Sequence, residues 1–79
     1  MEYPIWTERI ISEPSVHHGD PCIKGTRIPV VTTVANLADG MTDRDIMEAY
    51  PQLTAADIRA ALAYAADVLR EQAILPLTV

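Results

Sequence analysis

One run constrains this chain more than any other: Gly19-Asp20-Pro21-Cys22-Ile23-Lys24-Gly25-Thr26-Arg27-Ile28-Pro29-Val30. Short apolar stretches flank Gly25-Thr26, and glycine at the first central position marks a two-residue type II′ turn. The run therefore predicts a tight β-hairpin over about residues 21–29. That register sets Lys24 opposite Arg27, Ile23 opposite Ile28 and Cys22 opposite Pro29. Like charges directly opposite destabilise a hairpin, so Lys24 and Arg27 either project into water or meet an anionic partner. Pro29 then starts a helix, where its missing N–H would lack an intrahelical acceptor in any case.

The remaining elements follow from spacing and caps. Residues 5–12 predict a short strand with Ile10 and Ile11 as its buried part, broken by Glu13-Pro14-Ser15, and a loop over 15–20 leads to the hairpin. Val30, Val31, Val34, Leu37 and Ala38 fall at helical spacing, and Asp39-Gly40 closes that helix with a left-handed glycine. Thr42-x-x-Asp45 and Thr54-x-x-Asp57 are two capping-box patterns. The first opens a helix over about 43–49, with Ile46, Met47 and Ala49 inward, ended by Tyr50-Pro51. The second opens a long helix over about 55–73, with Ile58, Leu62, Ala65 and Leu69 as its apolar stripe, widened by Ala61 and Val68.

The expected fold is mainly α with a small β part, in a single domain over 1–79. A strand and hairpin (1–29) precede a three-helix unit (30–73), and an apolar tail (74–79) follows. A chain of 79 residues buries a modest fraction of its surface, yet 49% of its residues are hydrophobic. The excess predicts a homodimer or a partner interface. The tail Ile74-Leu75-Pro76-Leu77-Thr78-Val79 is almost wholly apolar, where chain ends are usually polar. It packs back on the domain, across a dimer, or on another protein. Ile74, Leu75, Leu77 and Val79 are the chosen candidates for a partner contact.

Charge and chemistry narrow the function. The net charge is −5, with both halves acidic and no basic tail, which weighs against non-specific nucleic-acid binding. Cys22 is the single cysteine, so no intramolecular disulfide forms. The start of the sequence lacks the features of a signal peptide, and no apolar run approaches the roughly 18 residues of a membrane helix, so a cytoplasmic location without membrane contact is expected. His17, His18, Asp20 and Cys22 are four ligand types in one loop, but a zinc site usually draws spaced pairs from two segments, and no second pair exists. No metal or cofactor is expected. Cys22 beside a histidine has no substrate-positioning set around it, and Asp43 and Asp45 suit a helix start, so no catalytic residue is assigned and no enzyme is expected.

Three helices with this spacing match a helix-turn-helix unit, in which the first turns of the third helix enter the major groove. Here those turns offer Ala55, Ala56, Asp57, Arg59 and Ala60. Lys24, Arg27, Arg44 and Arg59 are the candidate DNA contacts.

Gly-Asp-Pro-Cys-Ile-Lys-Gly-Thr-Arg-Ile-Pro-Val, then Leu37 to Thr42, Tyr50 to Thr54 and Ala60 to Ala65, resemble the domain-of-unknown-function family 433 over about residues 9–66. The resemblance implies a homeodomain-like helix-turn-helix preceded by a β-hairpin. It also implies a VapB-type antitoxin that binds and neutralises a PIN-like nuclease toxin and regulates its own operon. Gly25-Thr26-Arg27 and Gly40 stand at family-pattern positions, and the family transfers no catalytic residue. The acidic balance departs from an operator-gripping antitoxin. Two other readings remain open: a helix-turn-helix DNA-binding regulator with no toxin, and a small protein-interaction adaptor.

Overall fold

The computed structural model describes residues 6–15 and 19–71. A single 3-10 turn at Trp6–Glu8 leads into β1 (Ile10–Ile11), followed by β2 (Cys22–Ile23), α1 (Val30–Ala38), α2 (Asp43–Ala49) and α3 (Ala55–Glu71). The fold class matches the sequence: mainly helical, with a small antiparallel β part at the front.

The β part differs in detail. β1 pairs with β2 in the register Ile10↔Ile23 and Ile11↔Cys22, so β2 lies between β1 and the segment leading to α1. On its other side Cys22 bridges Pro29, and Ile23 N donates to Ile28 O at 3.0 Å, as the expected register required. The turn, however, closes from Thr26 N to Ile23 O at 3.0 Å, which makes Lys24 and Gly25 its central residues. Gly25 has φ +82° at the third position, the slot a type II turn reserves for glycine. The type II′ assignment is thereby corrected. Thr26 drives the change: its hydroxyl donates to Ile23 O at 2.8 Å and accepts from Ile28 N at 3.0 Å, replacing the Lys24–Arg27 rung. The first strand is also shorter than 5–12, because Trp6–Glu8 coil into the 3-10 turn.

The helices start and stop where their caps dictate. Pro29 is the N-cap of α1 and not its first helical residue, so the helix starts one residue later than expected, at Val30. At its end Gly40 N donates to Leu37 O (3.0 Å) and Met41 N to Asn36 O (3.1 Å), with Gly40 at φ +100°, which is a Schellman motif. Both capping boxes form: Thr42 with Asp45, and Thr54 with Asp57, each with reciprocal bonds of 3.0–3.2 Å.

One core gathers Ile10, Ile23, Val30, Ile46, Leu53, Ile58, Ala60 and Ala61, with Trp6, Val34, Leu37 and Tyr64 packed around it. Ile46, Ile58 and Ala61 are fully buried. Some stripe residues do not go inside: Val31 and Leu69 are 67% and 56% exposed, and Ala38 and Ala49 are exposed. Of the α3 stripe, Ile58 and Ala61 are fully buried as expected, Leu62, Ala65 and Val68 are half-buried, and Leu69 is exposed. The face it buries is set by α1 and by the N-terminal 3-10 turn, both packed against it.

Candidate functional site

Two surfaces are built very differently. The first is the α2–α3 corner, the helix-turn-helix face. Asp57 stands at the third position of α3, and its carboxylate accepts from Thr54 N and pairs with Arg9 Nη1 at 3.0 Å. It is buried, so it is withdrawn from the face that would meet a groove. Arg59 Nη2 is held by Asp43 at 2.8 Å, and Arg44 Nε sits 3.6 Å from Glu48 one turn along α2. The exposed residues left at the head of α3 are Thr54, Ala55 and Ala56, none of them a cation. Lys24 is exposed at the hairpin turn. Arg27 lies against the α2–α3 turn, lining one hollow with Glu13, Asp20 and Gln52 and a second with Tyr50 and Pro51. Of the four cations picked from the sequence, Arg44 and Arg59 each carry an acidic partner.

Cys22 forms part of the floor of the first hollow. It is 2% exposed, and burial pushes its thiol above the ordinary value, with Asp20 adding to the effect. A buried thiol held protonated packs as a small apolar side chain. His17 and His18 lie outside the described residues.

The second surface is a groove between α1 and the C-terminal half of α3. Val30, Val31 and Val34 form one wall, and Tyr64, Ala65, Val68 and Leu69 the other, with Pro21 and Asp20 at one end. Its volume is about 430 Å³, within the roughly 300–1,000 Å³ that concave binding sites fill. The lining is almost wholly apolar, and its exposed rims are Val31 and Leu69. Behind it, Tyr64 meets the Trp6 ring edge-on at 4.8 Å, and Trp6 Nε1 donates to Asp67 at 2.6 Å, with Arg70 on the same carboxylate. The N-terminal turn thus holds one flank of α3 and leaves the other open. The Trp6–Asp67 and Arg9–Asp57 contacts span 61 and 48 residues, and no local pattern announces either. The tail candidates Ile74, Leu75, Leu77 and Val79 lie outside the described residues.

The family model for "Protein of unknown function (DUF433)" matches residues 10–65, from β1 well into α3. The chain belongs to the DUF433 family. The crystal structure of a DUF433 member from Anabaena variabilis ATCC 29413 superposes with a TM-score of 0.74 at 38% identity, over 80% of this chain and 62% of that one. The uncharacterized protein y4eO of Sinorhizobium fredii (strain NBRC 101917 / NGR234) is 40% identical over 58 residues, 73% of this chain and 26% of that protein. This DUF433 chain thus spans about a quarter of that curated relative. No helix among the described residues is long and apolar enough to cross a membrane.

Proposed function

We propose that this chain is the antitoxin of a type II toxin–antitoxin pair, a protein-binding module that holds and neutralises a PIN-like nuclease. The observation that carries the protein-binding part is the open apolar groove between α1 and α3, rimmed by exposed Val31 and Leu69. Exposed large apolar side chains clustered on one face of a small domain mark an interaction site. The resemblance on residues 19–30, 37–42 and 50–54 supplies the toxin as the partner class. An acidic chain, net −5, suits a nuclease whose substrate groove is basic, since complementary charge speeds and orients docking. The apolar residues Ile74, Leu75, Leu77 and Val79 come three to eight positions after Glu71 in the sequence. Operator binding draws less support, because Arg59 and Arg44 are engaged by Asp43 and Glu48.

The test is an affinity pull-down from the native host, with and without nuclease treatment, of the full chain and of Val31→Asp/Leu69→Asp. The expected result is a small nuclease retained at near-equal stoichiometry after treatment by the parent chain and lost by the variant. A specific DNA fragment enriched in the untreated half, with no such protein, overturns the antitoxin reading in favour of the regulator.

A further inference from the structure

We propose that α1 is the moving wall of the groove: in the free protein it opens by local unfolding while α3 stays folded. The two walls are held by unequal means. α3 starts on the Thr54/Asp57 capping box, whose carboxylate also takes Arg9. Further along, Trp6 meets Tyr64 edge-on and donates to Asp67. Seven of the 17 residues of α3 are alanine, the best helix former, and only Ile58 and Val68 are β-branched. α1 has none of these aids at its start. Its N-cap, Pro29, makes no side-chain bond, its first turn holds no acidic residue, and Val30, Val31, Thr32, Thr33 and Val34 are all β-branched. Such residues lose side-chain freedom against the preceding turn, so packing must hold this helix together. Its last turn is secured by the Schellman motif at Gly40.

The packing itself has a fault. Val30 and Thr33 are the two buried residues of α1. Thr33 is 1% exposed, and its hydroxyl has no hydrogen-bond partner among the described residues. A helical threonine can turn its hydroxyl to the carbonyl three or four residues back. Here Pro29 O takes the Thr32 and Thr33 amides instead, at 3.1 and 3.4 Å. A buried hydroxyl without a partner bears its full desolvation cost, and opening returns it to water. Val31, on the same helix, is 67% exposed and adds little to hold α1 down. An occupant of the groove that covers Val31 would bind the closed form and hold α1 shut. The inference goes beyond the antitoxin reading and does not rest on it, because it concerns the free chain.

The test is native-state amide hydrogen exchange of the full chain, by nuclear magnetic resonance, at several urea concentrations below the unfolding transition. Protection factors of the α1 amides Val34 to Ala38 should lie about tenfold or more below those of Ala60 to Tyr64 in α3, with a weaker dependence on urea. Equal protection and equal urea dependence in the two helices overturn the proposal. Thr33→Val keeps the side chain's shape and removes the hydroxyl, so α1 protection should rise about tenfold. Thr33→Ser keeps the hydroxyl and should give no rise. A Thr33→Val chain whose α1 amides exchange as fast as the parent's, or the same rise in both variants, also overturns the proposal, since opening would then relieve nothing at that hydroxyl. No toxin is in the tube, so a failure of the antitoxin reading leaves these outcomes unaltered.

Discussion

The α2–α3 corner and the α1/α3 groove share one helix, yet one is closed on itself and the other is unfinished. At the corner every strong polar group is answered locally: Asp57 caps and takes Arg9, Asp45 caps α2, and Asp43 holds Arg59. At the groove, Val31 and Leu69 stay 67% and 56% exposed at the rims of an almost wholly apolar lining. The lesson is that resemblance of shape to a DNA reader does not carry the chemistry of one. Here Arg44 and Arg59 sit beside Glu48 and Asp43, and the exposed large apolar side chains, Val31 and Leu69, rim the groove between α1 and the C-terminal half of α3.

The largest effect separating core from surface should come from Ile58→Ala. Ile58 is fully buried in the core, and a truncation of this kind costs about 2–5 kcal/mol. That is a large share of a small domain's stability, so chemical denaturation should show a much lower midpoint or an unfolded chain. Next, the two capping boxes should prove unequal. Asp57→Ala removes a cap and strands half-exposed Arg9, costing about 2 kcal/mol, while exposed Asp45→Ala should cost about 1 kcal/mol or less. Equal losses would show that burial at the corner adds nothing to its cap.

A smaller effect concerns pH. The Cys22 thiol is raised in the folded state by burial and then by Asp20, so the folded protein keeps a proton the unfolded chain releases. Its contribution is fully present below the ordinary thiol value and is lost as pH rises through the folded one. Stability curves of the parent and Cys22→Ala should therefore converge or cross at alkaline pH, and parallel curves would contradict the burial of a protonated thiol. The smallest effect belongs to Arg44→Ala and Arg59→Ala, whose side chains are 86% and 65% exposed. Each should move stability by less than about 0.5 kcal/mol. A loss above 1 kcal/mol for Arg59→Ala would mean that the Asp43 pair does structural work beyond a surface ion pair.

Much of this fold was legible because its signals are local. Thr42-x-x-Asp45 and Thr54-x-x-Asp57 each mark a helix start within four residues, and the structure closes both boxes where the pattern placed them. Gly40 marks a stop in the same way. The candidate cations were legible only as residue types. Their pairing with Asp43 and Glu48 depends on helix phase and on how two helices meet. The turn at Gly25 shows the limit on a finer scale, since one hydroxyl, that of Thr26, moved it by a residue.

The sequence by itself determined the order and approximate length of the three helices, the acidic balance and the family, because caps, proline, glycine and periodicity act over a few residues. Tertiary structure alone decided which flank of α3 is covered. Trp6 and Arg9 reach across 61 and 48 residues to Asp67 and Asp57 and hold part of it, while Leu69 stays exposed. Helical spacing names an apolar stripe, but which part of it is buried depends on the bodies that arrive against it. Those arrivals are contacts between residues far apart in the chain, for which a local pattern holds no record.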